Sequence, residues 1–385
     1  MNDHSSSVRQ PRVLLCITRL GLGGAEQVAL TLLELLQQRI TFAVFTAYST
    51  IDDEIGVRMR NQLTASGVRW FHGSRWPVKR GGLLLAGLAL GRAIREFQPD
   101  CLHYHAEIAE ACGATMLQLN PTLARVAALR TVHNSNYWRF WPRIGRWTDR
   151  KLAGATVVSV STAAQTEFVR YRTDSGMAPQ LVPAVIPNGV NLPALPPRTA
   201  SLNPKRISLM FAGRFEEQKG PDILAQSLPQ VSLPPNCDAD LVCYGHGAFE
   251  PLLRNLATHP PPRWTVHVEP PSPRIVEEMK SFDVLLMPSR FEGLPLLAIE
   301  ASLSGLPVVA TDAPGLREAL PSAHPWKAPP GDSAAFARTI EQAVREPHTW
   351  APAVRAAQEL ARVRFSPAAM SEAYFELYSR CVRRA

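Results

Sequence analysis

Five side chains in this sequence have the types and spacing to do chemistry: two glutamates, Glu292 and Glu300 in "PSRFEGLPLLAIEA", the cations Arg214 and Lys219 in "FAGRFEEQKG", and His133 in "RTVHNSNYW". Two cations fixed near one loop can hold a diphosphate and neutralise the charge it develops as a leaving group. Carboxylates accept hydrogen bonds from paired hydroxyls such as those of a ribose. A histidine at the end of a strand can hydrogen-bond a sugar or steady charge in a sugar-bearing transition state. Glu300 is the oddest of the five. Helical spacing sets it on the face of Leu296 and Leu303, where a carboxylate costs several kcal/mol unless it finds a partner. Each residue also has a plain reading: solvated charge for Arg214 and Lys219, a core salt bridge for Glu300, packing or capping for His133.

Positioning these groups falls to an alternation of β-branched apolar runs with helix-period segments. Strands are expected at 12–18, 41–47, 67–71, 101–105, 126–132 and 155–161, and again at 207–213, 240–245, 264–268, 283–288 and 307–311. This α/β alternation implies two parallel sheets covered by helices, with ligands bound beyond the carboxyl ends of the strands in a cleft between facing domains. The expected units are 1–190, 191–365 and a final helix over 366–385, with the proline-rich "LPALPPRTASLNP" as linker. Every candidate except Glu300 lies on a loop that leaves a strand. Gly21, Gly23 and Gly24 in "RLGLGGAEQ" suit either a tight turn or backbone approach to an anion; a dinucleotide fingerprint is excluded because Glu26 occupies its last glycine position. His103 and His105 share one strand face like a metal pair, but no third ligand accompanies them, so packing or cleft lining is expected.

With 385 residues, 46% of them hydrophobic and 19% charged, the chain has enough for two cores. No apolar run is long enough to span a bilayer; the nearest, "GLLLAGLALGRAI", is broken by glycines and an arginine. The polar start lacks the apolar centre of a secretory signal, and six scattered cysteines fit a reducing compartment, so a cytoplasmic location is expected. The whole +8 charge resides in residues 1–190, with 21 Lys and Arg against 13 Asp and Glu. In "YWRFWPRIGRWTDRK", Trp138 and Trp141 alternate with Arg139, Arg143 and Arg146. Such a mixture suits an anionic membrane interface; stacking on single-stranded nucleic acid and inward packing are the alternatives.

Taken together, these residues resemble the retaining glycosyltransferases of family 4, which have the GT-B architecture of two facing Rossmann-like domains. The resemblance rests on the E-x7-E element from Glu292 to Glu300, with "LGLGGAEQ", "TVHN", "IPNGV", "FAGRFEEQKG", "YGHG" and "VVATDAPGLRE" in the family's order. It implies that Arg214 and Lys219 bind the donor diphosphate, helped by Gly23 and Gly24, and that Glu300 receives the donor ribose. Glu292 would meet the donor sugar, with backbone groups of Gly293 and Leu294 beside it, His133 near the transferred sugar, and Asn188 and Gly245 lining the donor site. The implied reaction moves a sugar from a UDP- or GDP-sugar to a hydroxyl with retention, without a metal or other cofactor and without nucleic acid. The acceptor implied is a lipid-linked glycan in surface-polysaccharide synthesis, reached at the inner membrane face by a peripheral enzyme. A soluble transferase with a small acceptor and a non-catalytic binding scaffold are the competing readings. Two departures stand out: Pro314 precedes Gly315 where relatives carry paired glycines, and Asn134 follows His133 where many carry aspartate.

Overall fold

Arg12–Ile17 (β1) buries every residue after the arginine, as a central strand covered on both faces must. The computed structural model describes residues 9–48, 54–77, 80–139, 141–177, 182–192 and 205–382. After β1 come Gly24–Leu36 (α1), Thr41–Tyr48 (β2), Glu54–Ala65 (α2), Arg69–Ser74 (β3), Gly82–Phe97 (α3), Cys101–Tyr104 (β4), Glu107–Leu119 (α4), Ala127–Val132 (β5), Pro142–Lys151 (α5), Thr156–Ser159 (β6), Thr162–Asp174 (α6) and Ala184–Val185 (β7). The first sheet has the order β3-β2-β1-β4-β5-β6-β7, with β1 parallel to both β2 and β4. The helical spacing of Val28, Ala29, Leu32, Leu33 and Leu36 is realised in α1, where all five are buried.

The second run comprises Arg206–Ala212 (β8), Pro221–Ser227 (α7), Asp238–Tyr244 (β9), Glu250–Thr258 (α8), Trp264–Glu269 (β10), Ile275–Glu278 (α9), Val284–Met287 (β11), Leu296–Ser304 (α10), Val308–Thr311 (β12), Leu316–Ala319 (α11), Lys327–Ala328 (β13), Ser333–Arg345 (α12), Trp350–Arg364 (α13) and Pro367–Val382 (α14). Its six-stranded sheet runs β10-β9-β8-β11-β12-β13 and is parallel throughout. These are the two Rossmann-like parallel sheets expected. Among the described residues only the two-residue strands β7 and β13 went unforeseen, being too short to carry an alternation. The linker, apart from Leu192, lies outside the described residues.

Packing groups the described residues of Met1–Val132, Trp138–Val158 and Ala368–Ala385 into one compact unit, and those of His133–Tyr137 and Ser159–Pro367 into another. The grouping differs from a cut in chain order at residue 190: His133–Tyr137 and the described residues of Ser159–Pro367 join the second unit. The C-terminal helix α14 belongs to the first unit, where Tyr374 and Tyr378 are buried. There His103 Nδ1 shares hydrogen bonds with the Tyr378 hydroxyl (2.7 Å) and His105 Nε2 (3.0 Å), and His103 Nε2 with Thr131 Oγ1 (2.7 Å). Thr131 Oγ1 is in turn 3.0 Å from the Tyr374 hydroxyl. The two histidines are thus core residues that tie β4 and β5 to α14. Among the described residues no group of three His, Cys, Asp or Glu gathers as a metal site would require.

Candidate active site

In the second sheet the strand order reverses between β8 and β11, and the loops leaving these two strands are where such a fold opens a crevice. The loop after β8 carries Arg214 and Lys219; the loop after β11 carries Glu292. Gly213 leaves β8 at φ +143, and the Lys219 side chain lies over it. The Gly213 carbonyl is 1.9 Å from where a Cβ on Gly245 would stand, which excludes any larger residue at 245 and braces this loop against the one after β9. A short 3-10 turn, Glu217–Lys219, then ends on Gly220, whose left-handed φ of +68 and close approach to the Pro288 carbonyl both require glycine. Pro221 begins α7.

Glu292 is the centre of the arrangement. Its side chain is buried, and its Oε1 accepts from Lys219 Nζ at 2.7 Å and from Ser289 Oγ at 2.7 Å. Gln218 Nε2 donates to Glu292 Oε2 at 3.4 Å and to the Phe291 carbonyl at 3.2 Å. Arg290 binds Asp222 with both terminal nitrogens (2.8 and 2.6 Å), which holds the aspartate carboxyl below its ordinary range and joins the loop to α7. Arg214 is held by Glu216 (3.1 Å) and Gln218 (3.1 Å), with its guanidinium partly exposed. Two of the sequence-selected cations and one of the glutamates therefore converge on one loop pair.

His133 and Gly293 meet from the other side. A Cβ on Gly293 would fall 1.8 Å from the His133 carbonyl, so only glycine permits the contact. The Ser161 hydroxyl donates to the Gly293 carbonyl (2.6 Å) while accepting from the amide of Ala164 at the start of α6. Glu318 closes the same helix end by accepting from the Thr162 and Ala163 amides at 2.9 and 2.7 Å. Packing around the His133 ring disfavours the imidazolium and lowers its pKa to about 3, so near neutrality the ring acts through hydrogen bonds rather than charge. Asn188 is buried, its Nδ2 3.5 Å from the Leu294 carbonyl, and Leu294 is buried beside it.

Glu300 requires a correction. Helix α10 runs from Leu296 to Ser304 and stops at Gly305 with φ +77, as its glycine and serine signals predict. However, its core-facing side chains are Ala298, Ile299, Ala301 and Ser302, while Leu296, Glu300 and Leu303 share a half-buried face. Helical spacing gives this shared face correctly, but the face is half-buried because small residues fill the side towards the core. Among the described residues Glu300 makes no hydrogen bond or ion pair, and desolvation raises its pKa to about 7.

Other selected residues lie elsewhere. Gly23 caps α1 and Gly24 opens it in the first unit, with the Glu26 carboxylate lying over Gly23. Trp138, expected at a membrane surface, is instead buried at 3% exposure with a left-handed φ of +55, its amide donating to Glu107 Oε1 at 2.9 Å. The carboxylate anchors the backbone and turns the indole inward, so this tryptophan is unavailable as a surface contact. Trp141 and Arg146 are half-buried; Arg139 and Arg143 are exposed. Sequence reasoning missed Gln218, Ser289 and Ser161, polar residues in loops with no periodicity to mark them; Gln218 alone had a signal, in its place beside Lys219.

Residues 22–193 match the family model described as Glycosyltransferase Family 4, and residues 206–346 the model described as Glycosyl transferases group 1. The D-inositol 3-phosphate glycosyltransferase of Arthrobacter sp. (strain FB24) is 30% identical over 256 residues, 59% of this chain. That match spans 58% of the relative's own length, a little over half. The structure of Anabaena HepE in complex with UDP and glucose aligns at a TM-score of 0.75 with 20% identity, covering 96% of this chain and all of the other. Sucrose-phosphate synthase from Thermosynechococcus elongatus aligns at 0.73 with 19% identity, covering 98% of this chain and 100% of its own. At such identities the likeness is one of fold. Over these two stretches the chain is similar to the family 4 and group 1 glycosyltransferases, and its two Rossmann-like sheets match the solved structures in fold.

Proposed function

We propose that the protein transfers a sugar from a nucleotide-sugar to an acceptor hydroxyl, with retention of configuration and without a divalent metal. The observation that carries this reading is the buried Glu292 carboxylate held between Lys219, Ser289 and Gln218 at the point where the sheet order reverses. An ammonium has three donor hydrogens, so Lys219 can take a phosphate oxygen while keeping Glu292, or exchange one for the other. Arg214, already oriented by Glu216 and Gln218, adds a second positive charge of the kind that stabilises a departing diphosphate. Glu292 then offers acceptor oxygens to sugar hydroxyls, and Glu300, with no partner among the described residues, offers its own to the paired hydroxyls of a ribose. Neutral His133 hydrogen-bonds near the sugar. A family 4 and group 1 pair of domains and a fold shared with a protein solved with UDP and glucose support the donor class.

In this reading the first domain receives the acceptor, the second the donor, and the acceptor is a lipid-linked glycan of a surface polysaccharide, met by a peripheral enzyme at the cytoplasmic membrane face. One observation favours the second reading, a small soluble acceptor: the curated relative is named for a phosphorylated inositol. The test is nucleotide release from UDP-, GDP- and ADP-sugars by wild type, Lys219→Ala and Glu300→Ala, with and without EDTA, lipid extract and inositol phosphate. EDTA-resistant release by wild type, lost in both variants, is expected. Lipid stimulation selects the first acceptor reading and inositol phosphate stimulation the second, while no release from any donor overturns the transferase reading.

A further inference from the structure

Nine large apolar side chains stand most exposed among the described residues, and four of them fall within one short stretch: Trp76 (60%), Leu84 (51%), Leu85 (44%) and Leu88 (45%). Solvent rarely tolerates such a grouping without a function. Helix α3 explains how it arises. Its inner face is made of Ala86, Gly87, Leu90, Ala93, Ile94 and Phe97. A Cβ on Gly87 would meet the Thr115 side chain at 2.7 Å, so the small residues let α3 lie close on α4 and the leucines between them point outward. Trp76 joins them because its carbonyl packs on Gly82, 1.9 Å from where a Cβ would stand.

The charge around the patch is one-sided. From Ile55 to Arg95 the sequence holds eight Lys or Arg and no Asp or Glu; Glu54 and Glu96 bound the stretch, and Glu96 pairs with Arg69 at 3.7 Å. Arg75 and Arg80 flank Trp76, and the outward stripe of α3 passes from Leu84 and Leu88 to Arg92 and Arg95, all four arginines exposed. We infer that the face formed by Trp76 and the outer stripe of α3 docks on an anionic lipid bilayer, the indole and leucines entering at headgroup depth and the arginines meeting lipid phosphates. The helix lies on the surface: among the described residues no helix is long and apolar enough to cross a membrane. A protein partner would be expected to match apolar residues with an apolar surface but gives no reason for a stretch stripped of every acid. This inference does not depend on the sugar-transfer reading, and its test uses no donor.

The full chain is sedimented with vesicles of phosphatidylcholine alone and with phosphatidylglycerol added to about one third. Wild type is expected to bind the anionic vesicles and release in high salt. Leu84→Asn with Leu88→Asn lowers partitioning roughly tenfold or more, and Arg92→Gln with Arg95→Gln lowers it several-fold and flattens the salt dependence. Arg139→Gln with Arg143→Gln, on the segment where Trp138 is buried, leaves binding unchanged. Unfolding midpoints verify that the exposed positions were replaced without loss of fold. Lipids brominated near the headgroup quench tryptophan emission in wild type, and Trp76→Phe removes that part of the quenching. Undiminished vesicle binding by the leucine variant overturns the inference. So does unaltered vesicle binding together with lost self-association in light scattering, which assigns the patch to a contact between copies.

Discussion

Both compact units bury polar groups against their sheets, and they do so in opposite ways. In the first, Arg130 donates to Asp149 (2.8 Å) and Glu110 (2.9 Å) with all three side chains essentially inaccessible, and Tyr378, His103, Thr131 and Tyr374 form a buried hydrogen-bonded chain. In the second, Lys219 keeps 18% of its side-chain surface while pairing with Glu292, Arg214 remains partly exposed, and Glu300 has no partner among the described residues. A network whose charges pair with one another and are sealed from solvent has little to offer a ligand. An open one stays short of partners until a ligand supplies them. The comparison separates polar burial that stabilises from polar burial that waits.

The sharpest way to break this distinction is to open the closed network. Arg130→Met strands two carboxylates inside the first unit and is expected to cost about 3–5 kcal/mol in urea unfolding, whereas replacing all three charges with apolar residues recovers much of it. A small loss in the single variant would show the triad to be hydrated. Next in size is Lys219→Ala. Its neighbour Glu292 retains Ser289 and Gln218 as donors and the lysine was partly exposed, so stability should fall less than for Arg130. Turnover should fall roughly 100- to 1000-fold, the usual consequence of removing one fixed charge from a developing anion. If stability collapsed and the remaining folded enzyme turned over normally, Lys219 would belong with the closed class.

These expectations were legible in the sequence to different depths. Strand-helix alternation marked eleven of the thirteen strands among the described residues, since β-branched runs and helical spacing are local properties, and loops after strands are where function collects in such sheets. Arg214, Lys219 and Glu292 were found because each follows a strand. Their mutual pairing was not, because which cation faces which carboxylate depends on a reversal of strand order that no local pattern encodes. Trp138 failed for a related reason: an alternation of aromatics and arginines describes what a surface could be made of, but one amide bonded to Glu107 decided which way the indole turned.

A third prediction concerns the carboxylate left without a partner. Because the pKa of Glu300 is raised to about 7 from an ordinary 4.5, the folded state holds a proton that the unfolded chain has released between those values. Stability contributed by the protonated form is therefore complete below 4.5 and lost as pH rises through 7, a swing of roughly 3 kcal/mol. Glu300→Gln lacks this swing and should gain on wild type in denaturant unfolding as pH rises from 5 to 8. Donor binding should show the reverse, weakening below pH 7 as the acceptor oxygens become protonated. A pH-independent difference between the two proteins would mean that Glu300 is already solvated and ordinary.

Tyr378→Phe should have the smallest effect and is the finest test of what closure means. The hydroxyl bonds His103 Nδ1, but that nitrogen also lies 3.0 Å from His105 Nε2, while its partner nitrogen keeps Thr131. Removing the hydroxyl therefore strands no charge and leaves each histidine nitrogen a neighbour, so the cost should be that of one neutral hydrogen bond, about 1 kcal/mol. The aromatic ring remains in edge contact with Phe42, with centroids 6.1 Å apart, so apolar packing of α14 is preserved. His103→Ala is different: it removes the node and leaves the Tyr378 hydroxyl facing an apolar interior, while Thr131 keeps Tyr374, so the cost is set by an unsatisfied group as well as lost bonds. Thermal unfolding of the two variants measures the ratio directly. If Tyr378→Phe cost as much as His103→Ala, the bonds would be acting cooperatively as a single unit, and closure in the first unit would be a property of the whole network rather than of its separate pairs.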